Sequence, residues 1–116
     1  MIDNETLGEL RSLSRPDEPL IAEMVRVYFE RTSVLMKKMT EALAARDLVR
    51  VHETAHALAG CSSRVGALEL SHTSRALERA EADWHELTTR IRVLDWKRRE
   101  VELALMALPE VSQVAA

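Results

Sequence analysis

The sequence predicts an all-α protein, an antiparallel up-down four-helix bundle with a short N-terminal helix lying across one end as a lid. Three observations carry this. Half of the 116 residues are Ala, Leu, Arg or Glu, all good helix formers. The stretch from Leu20 to Leu108 contains no proline, and its only glycines are Gly60 and Gly66. Along it, apolar residues recur at the three- and four-residue intervals of amphipathic helices. A β-sandwich or barrel needs frequent turn residues, and an αβ nucleotide-binding fold needs a strand with a glycine-rich turn; neither pattern is found.

The elements follow in order. A first helix covers Asn4 to Leu13, with Leu7, Leu10 and Leu13 on one side, and stops before Arg15-Pro16 because a residue preceding proline is pushed out of the helical region. Asp17 or Glu18, with Pro19 in the first turn, opens a second helix that reaches about Ala45. Its apolar positions are Ile21, Met24, Val25, Tyr28, Leu35, Met39 and Leu43. Asp47 suits the N-cap of a third helix ending near Arg64. Val65-Gly66 breaks the pattern, and a fourth helix runs from Ala67 to about Ala82. Asp83 to Glu86 read as a looser connection. The last helix spans Leu87 to Leu108, with a seam at Leu87, Ile91, Leu94, Val101, Leu105 and Leu108. Pro109 ends it. The expectation is one domain over residues 1–109 and a flexible tail over 110–116.

Composition also bounds the partners. The formal net charge is −3, and charges of both signs are interspersed, so neither a nucleic-acid surface nor a membrane surface is expected. The arginines between Arg90 and Arg99 alternate with Ile91, Val93, Leu94 and Trp96 and read as the solvated side of a helix. No apolar run approaches the ~18 residues of a membrane span, and the polar N-terminus has no signal-peptide core. Cys61 is the single cysteine, which suits a reducing cytoplasm. Tyr28, Phe29, Trp84 and Trp96 are expected in or at the edge of the core; His72 and His85 are expected in solvent.

The third helix carries the chemistry. At ~100° per residue, Leu48, Val51, Ala55, Leu58, Ala59 and Ser62 share its buried side, and His56 falls ~130° away from their centre. Gly60 and Ser63 lie one and two turns along from His56, with Arg64 beside them, and His52 lies one turn before. A glycine inside a helix costs about 1 kcal/mol relative to alanine, and on the exposed side no core packing requires it. Its use there is to let another molecule approach the histidine closely. Ala55, Ala57, Ala59, Cys61, Ser62 and Ser63 keep the surrounding surface low. The competing reading is an ordinary exposed histidine on an alanine-rich helix.

The run Ala55-His56-Ala57-Leu58-Ala59-Gly60-Cys61-Ser62-Ser63-Arg64-Val65-Gly66-Ala67, followed by Leu70, resembles the signature of histidine-containing phosphotransfer (HPt) domains, the relay modules of two-component phosphorelays. That signature has alanine-histidine, a leucine two residues on, lysine-glycine, small residues, and a second glycine followed by alanine and a leucine. Only the lysine is replaced, by Ala59. The resemblance implies a helical bundle in which His56 takes a phosphoryl group from a receiver-domain aspartyl-phosphate and passes it to another receiver. It implies partners among response-regulator receiver domains, with a hybrid sensor kinase as a further candidate. It also implies no cofactor of the chain's own, the Mg²⁺ residing on the receiver. The sequence contains no nucleotide-cradling loop, so autonomous kinase activity is not expected. With no lysine at Ala59, Arg64 is the nearest cationic replacement, and His52 is placed to donate a hydrogen bond. If the chain turns at Val65-Gly66, Glu78 stands level with His56, where the family often has a Gln or Glu that orients the imidazole. The other reading of Glu78 is a solvated residue flanked by Arg75 and Arg79.

Two alternatives stand beside this. His52-Glu53-Thr54-Ala55-His56 matches H-E-x-x-H, in which paired histidines bind zinc and the glutamate acts as base. The extended form of that motif asks for glycine and histidine where Ala59 and Ser62 stand, so no metal site is assigned. The second alternative is a phosphotransfer-inactive HPt-like bundle that serves as a protein-binding module.

Overall fold

The computed structural model describes residues 2–15, 17 and 19–115, and six helices are found among them. They are α1 (Asn4–Leu13), α2 (Leu20–Ala44), α3 (Leu48–Arg64), α4 (Leu68–Glu78), α5 (Trp84–Met106) and α6 (Pro109–Ala115). Helices α2 to α5 form the bundle: α3 packs on α2 and α4, and α5 closes the ring against α4 and α2. Helices α3 and α5 therefore occupy opposite corners. Short connections make neighbours antiparallel, so the start of α2, the α3–α4 turn and the end of α5 meet at one end of a molecule 48 Å long.

Local chemistry sets the starts. The side chains of Asp3, Asp47 and Asp83 accept the backbone N–H groups of Thr6, Arg50 and Glu86, at 3.0, 3.1 and 3.1 Å. Such a cap is worth about 1 kcal/mol because it satisfies a donor that the first helical turn leaves unpaired. The Asp83 cap corrects the expected looser connection over Asp83 to Glu86: α5 begins three residues early, at Trp84. Helix α4 ends early, at Glu78 rather than near Ala82. Helix α2 has Pro19 at its N-cap without a side-chain cap, so Asp17 does not serve that role. Pro16 and Glu18, expected to end α1 and open α2, lie outside the described residues.

The core is a single cluster contributed mainly by α2 to α5. On α2 it takes Ile21, Val25, Tyr28, Thr32, Leu35, Met39 and Ala42, a three-and-four spacing without a gap. Thr32 fills the turn left open in the apolar pattern between Tyr28 and Leu35. It can be buried because its hydroxyl donates to the Tyr28 carbonyl at 2.8 Å. On α5, Arg98 occupies the corresponding gap between Leu94 and Val101 and is held by Asp95 and Glu102 at 2.8 and 2.5 Å. Trp84 is half-buried against the core, but Trp96 is 62% exposed, contrary to expectation. Position 96 lies opposite the Leu87, Ile91, Leu94, Val101 and Leu105 side of α5.

Helix α1 does cap one end. Leu7 is buried, the Asp3 N–H donates to the Gly66 carbonyl at 2.8 Å, and Arg11 forms a two-pronged pair with Glu110 of α6 at 2.5 and 3.1 Å. The expected tail over 110–116 is instead helical through Ala115. Proline at the first position of a helix loses no hydrogen bond, and Val111 then packs on the core. Ala116 lies outside the described residues.

Candidate functional site

The site rests on α3, whose buried side is Val51, Thr54, Ala55, Leu58, Ala59, Cys61 and Ser62. The next helix contributes Ser71 and Ser74, also buried, and small residues on both sides let α3 and α4 approach closely. The hydroxyl of Ser71 crosses this interface and donates to the Ala59 carbonyl at 3.0 Å. Ala59 itself is only 2% exposed, so the position where the HPt signature has lysine faces α4 rather than open solvent. At the turn, Gly66 adopts φ 78°, and the N–H groups of Gly66 and Ala67 return to the carbonyls of Ser63 and Ser62 at 3.1 and 2.9 Å. Only glycine takes this left-handed conformation without strain. A Cβ at Gly66 would also meet Thr6 at 3.1 Å, so this glycine is the seat of α1 as well as the turn.

This turn brings α4 back alongside α3 in the anticipated register. The Nδ1 of His56 lies 2.7 Å from Oε1 of Glu78, the last residue of α4. The His56 side chain is 74% exposed and that of Glu78 is 32% exposed. A carboxylate at a helix C-terminus sits at the unfavourable end of the helix dipole. The imidazole N–H offsets this by donating to it. In the neutral ring, with Nδ1–H committed to Glu78, Nε2 carries the lone pair and has no partner among the described residues.

The other predicted residues divide. Gly60 is open: a Cβ there would meet only Nη2 of Arg64, at 3.8 Å. The Arg64 guanidinium thus lies back over the bare glycine, towards His56, and forms no ion pair among the described residues. Ser63 stands two turns along α3 from His56, and its carbonyl accepts the Gly66 N–H of the turn at 3.1 Å. His52 is not a helper either. Its Nε2 donates to the Ala80 carbonyl at 2.7 Å, which straps the loop after α4 onto α3. Among the described residues no group of three or more His, Cys, Asp or Glu side chains could hold a metal ion. His72 and His85 are exposed, as expected.

One feature of the surroundings escaped the sequence reading. Between α2 and the end of α3 lies an apolar groove of about 230 Å³, lined by Leu20, Met24, Val27, Tyr28, Cys61 and Val65, with Glu23, Arg31 and Arg64 at its charged rim. Val27, 39% exposed and off the core stripe, is the residue that signals it. Arg64 belongs both to this rim and to the surface over Gly60, one turn from His56. No helix among the described residues is long and apolar enough to cross a membrane.

No curated protein and no solved structure matched the chain. The family model of the Hpt domain matches residues 23–110, which hold His56, Glu78, Gly60 and the four helices of the bundle except the first three residues of α2. The chain belongs to the Hpt domain family.

Proposed function

We propose that this protein is a phosphorelay intermediate in which Nε2 of His56 takes a phosphoryl group from an aspartyl-phosphate on one receiver domain and yields it to the aspartate of another. Hpt domains are the histidine phosphotransfer modules of two-component phosphorelays and work with receiver domains. The observation that carries the residue-level reading is an exposed His56 whose Nδ1 is fixed by Glu78 at 2.7 Å.

The chemistry follows from that arrangement. The Nε2 lone pair attacks phosphorus; the N–P bond forms as the bond from phosphorus to the aspartyl oxygen breaks, and aspartate leaves as a carboxylate. The ring keeps its Nδ1 proton and becomes an imidazolium, whose charge the Glu78 carboxylate opposes. Phosphoryl transfer has a loose transition state, so positioning and charge compensation are what the two proteins must supply. The receiver brings the aspartate and its Mg²⁺. This chain brings a rigid histidine, the clearance over Gly60, and the Arg64 guanidinium, which takes the cationic role that Ala59 cannot fill. A partner seated in the groove between α2 and α3 lies against Arg64 and is directed towards His56. Such a module makes no phosphohistidine from ATP unaided, and a cytoplasmic location, shared with its receivers, is part of this reading.

The test is incubation with a phosphorylated receiver domain, followed by assay for acid-labile label on the chain. Wild type becomes labelled and His56→Gln does not. Equal labelling of the two, or none on wild type, rejects the relay. Receiver binding without labelling would instead select the phosphotransfer-inactive binding module.

A further inference from the structure

We propose that the outward face of α5 is a homodimer interface, closed by a two-fold axis at Trp96. This is independent of the phosphotransfer reading. Trp96 is 62% exposed, and Val93 and Leu103 on the same side of α5 are 43% and 68% exposed. A large aromatic pointing directly away from the core gains nothing within the monomer, whereas burying it against another surface removes much apolar area from water.

The charges identify the occupant. Nearly every charged side chain in the central turns of α5 is paired within the chain. Arg90 pairs with Glu86, Asp95 with both Arg98 and Arg99, Arg98 also with Glu102, and Lys97 with Glu69 of α4. Arg92 and Glu100 are both exposed and have no ion-pair partner among the described residues. They stand four residues before and four after Trp96. Each therefore lies within ~40° of it around the helix and ~6 Å from it along the axis. If a second copy packs its α5 antiparallel with Trp96 on Trp96, each Arg92 comes level with Glu100 of the other copy. At the usual interaxial distance of ~8–10 Å the two side chains are within reach, and symmetry makes the pair twice. A parallel arrangement would set Arg92 against Arg92 and Glu100 against Glu100. The face is thus complementary to itself in one orientation only, which is what a closed isologous dimer requires. Because α5 and α3 occupy opposite corners of the bundle, the dimer leaves both His56 side chains on its outer surfaces.

A single pair of helices buries less than a standard interface, so the association is concentration-dependent. Sedimentation equilibrium of the full chain over ~1–500 µM tests it. The weight-average mass is expected to rise from 13.1 kDa towards twice that value and no further. Trp96→Glu should hold the chain at the monomer mass. Arg92→Glu and Glu100→Arg should each weaken dimerisation at least tenfold, and the double exchange should restore most of it. Circular dichroism checks that each variant, altered only at exposed positions, keeps the wild-type helix content. A wild type that stays monomeric throughout, masses beyond the dimer, or a double exchange no better than either single variant overturns the proposal.

Discussion

Gly60 separates the demands of stability from those of access, and two substitutions there make the separation measurable. A Cβ at this position meets nothing but the end of Arg64, at the ordinary contact distance of 3.8 Å, and the residue has none of the left-handed backbone that Gly66 has. Gly60→Ala should therefore recover the helix propensity that glycine forfeits, about 1 kcal/mol. At about 2.1 cal/mol/K per residue, a chain of 116 residues unfolds with about 0.24 kcal/mol/K, so the gain corresponds to a Tm about 4 °C higher. Gly60→Leu keeps most of that gain, but its side chain leans towards the N-terminus of α3, over the turn that holds His56. A receiver held off by even about 1 Å loses on the order of 100-fold in transfer rate. Urea and thermal unfolding give the first quantity, and initial rates of label transfer from a phosphorylated receiver give the second. A less stable Gly60→Ala would show that the glycine has a packing role the geometry does not contain. Wild-type transfer by Gly60→Leu would show that clearance beside His56 is irrelevant.

Three further outcomes follow from the structure. Glu78→Ala should slow transfer by roughly 3- to 10-fold, the worth of one hydrogen bond orienting an exposed ring, with Glu78→Gln in between and stability within about 0.5 kcal/mol of wild type; an unchanged rate in Glu78→Ala would remove Glu78 from the mechanism. Arg46 holds φ 51° in the turn between α2 and α3, a conformation that costs a residue with a Cβ about 1 kcal/mol or more, so Arg46→Gly should raise stability by about 0.5 kcal/mol in urea unfolding, and a loss would refute this. Burial pushes the Tyr28 phenol up from 10.0 to about 12, and its hydroxyl, beside Ser62, has no hydrogen-bond partner among the described residues. The unfolded chain therefore releases this proton first, and stability falls as pH rises from 10 to about 12, by on the order of 2 kcal/mol. Tyr28→Phe should lose that decline and be no less stable at neutral pH; a stability difference from wild type that stays constant across the window would contradict the assignment.

Much of the site was legible because it is local to one helix. The wheel of α3 alone puts His56 outside and Ala55, Leu58, Ala59 and Ser62 inside, since side-chain direction follows from 100° per residue. Glu78 was reachable by counting from Gly66, because two antiparallel helices joined by a tight turn keep a predictable register. His52 was misjudged for the converse reason: its partner is a backbone carbonyl at Ala80, which no side chain announces. Trp96 was placed at the core by residue type, although its position on α5 points the other way.

The four bundle helices, the buried stripe of each and the outward placement of His56 are properties of intervals along the chain, and hydrophobic periodicity determines them before any helix meets another. The tertiary structure alone decided which helices share a corner, where α4 stops, that α1 seats on Gly66, and that an apolar groove opens beside Arg64. It also decided that the pattern gap on α2 is filled by a self-satisfied Thr32. These depend on distances between residues far apart in sequence, set by how bulky the side chains are where two helices touch and by which buried polar groups find a partner.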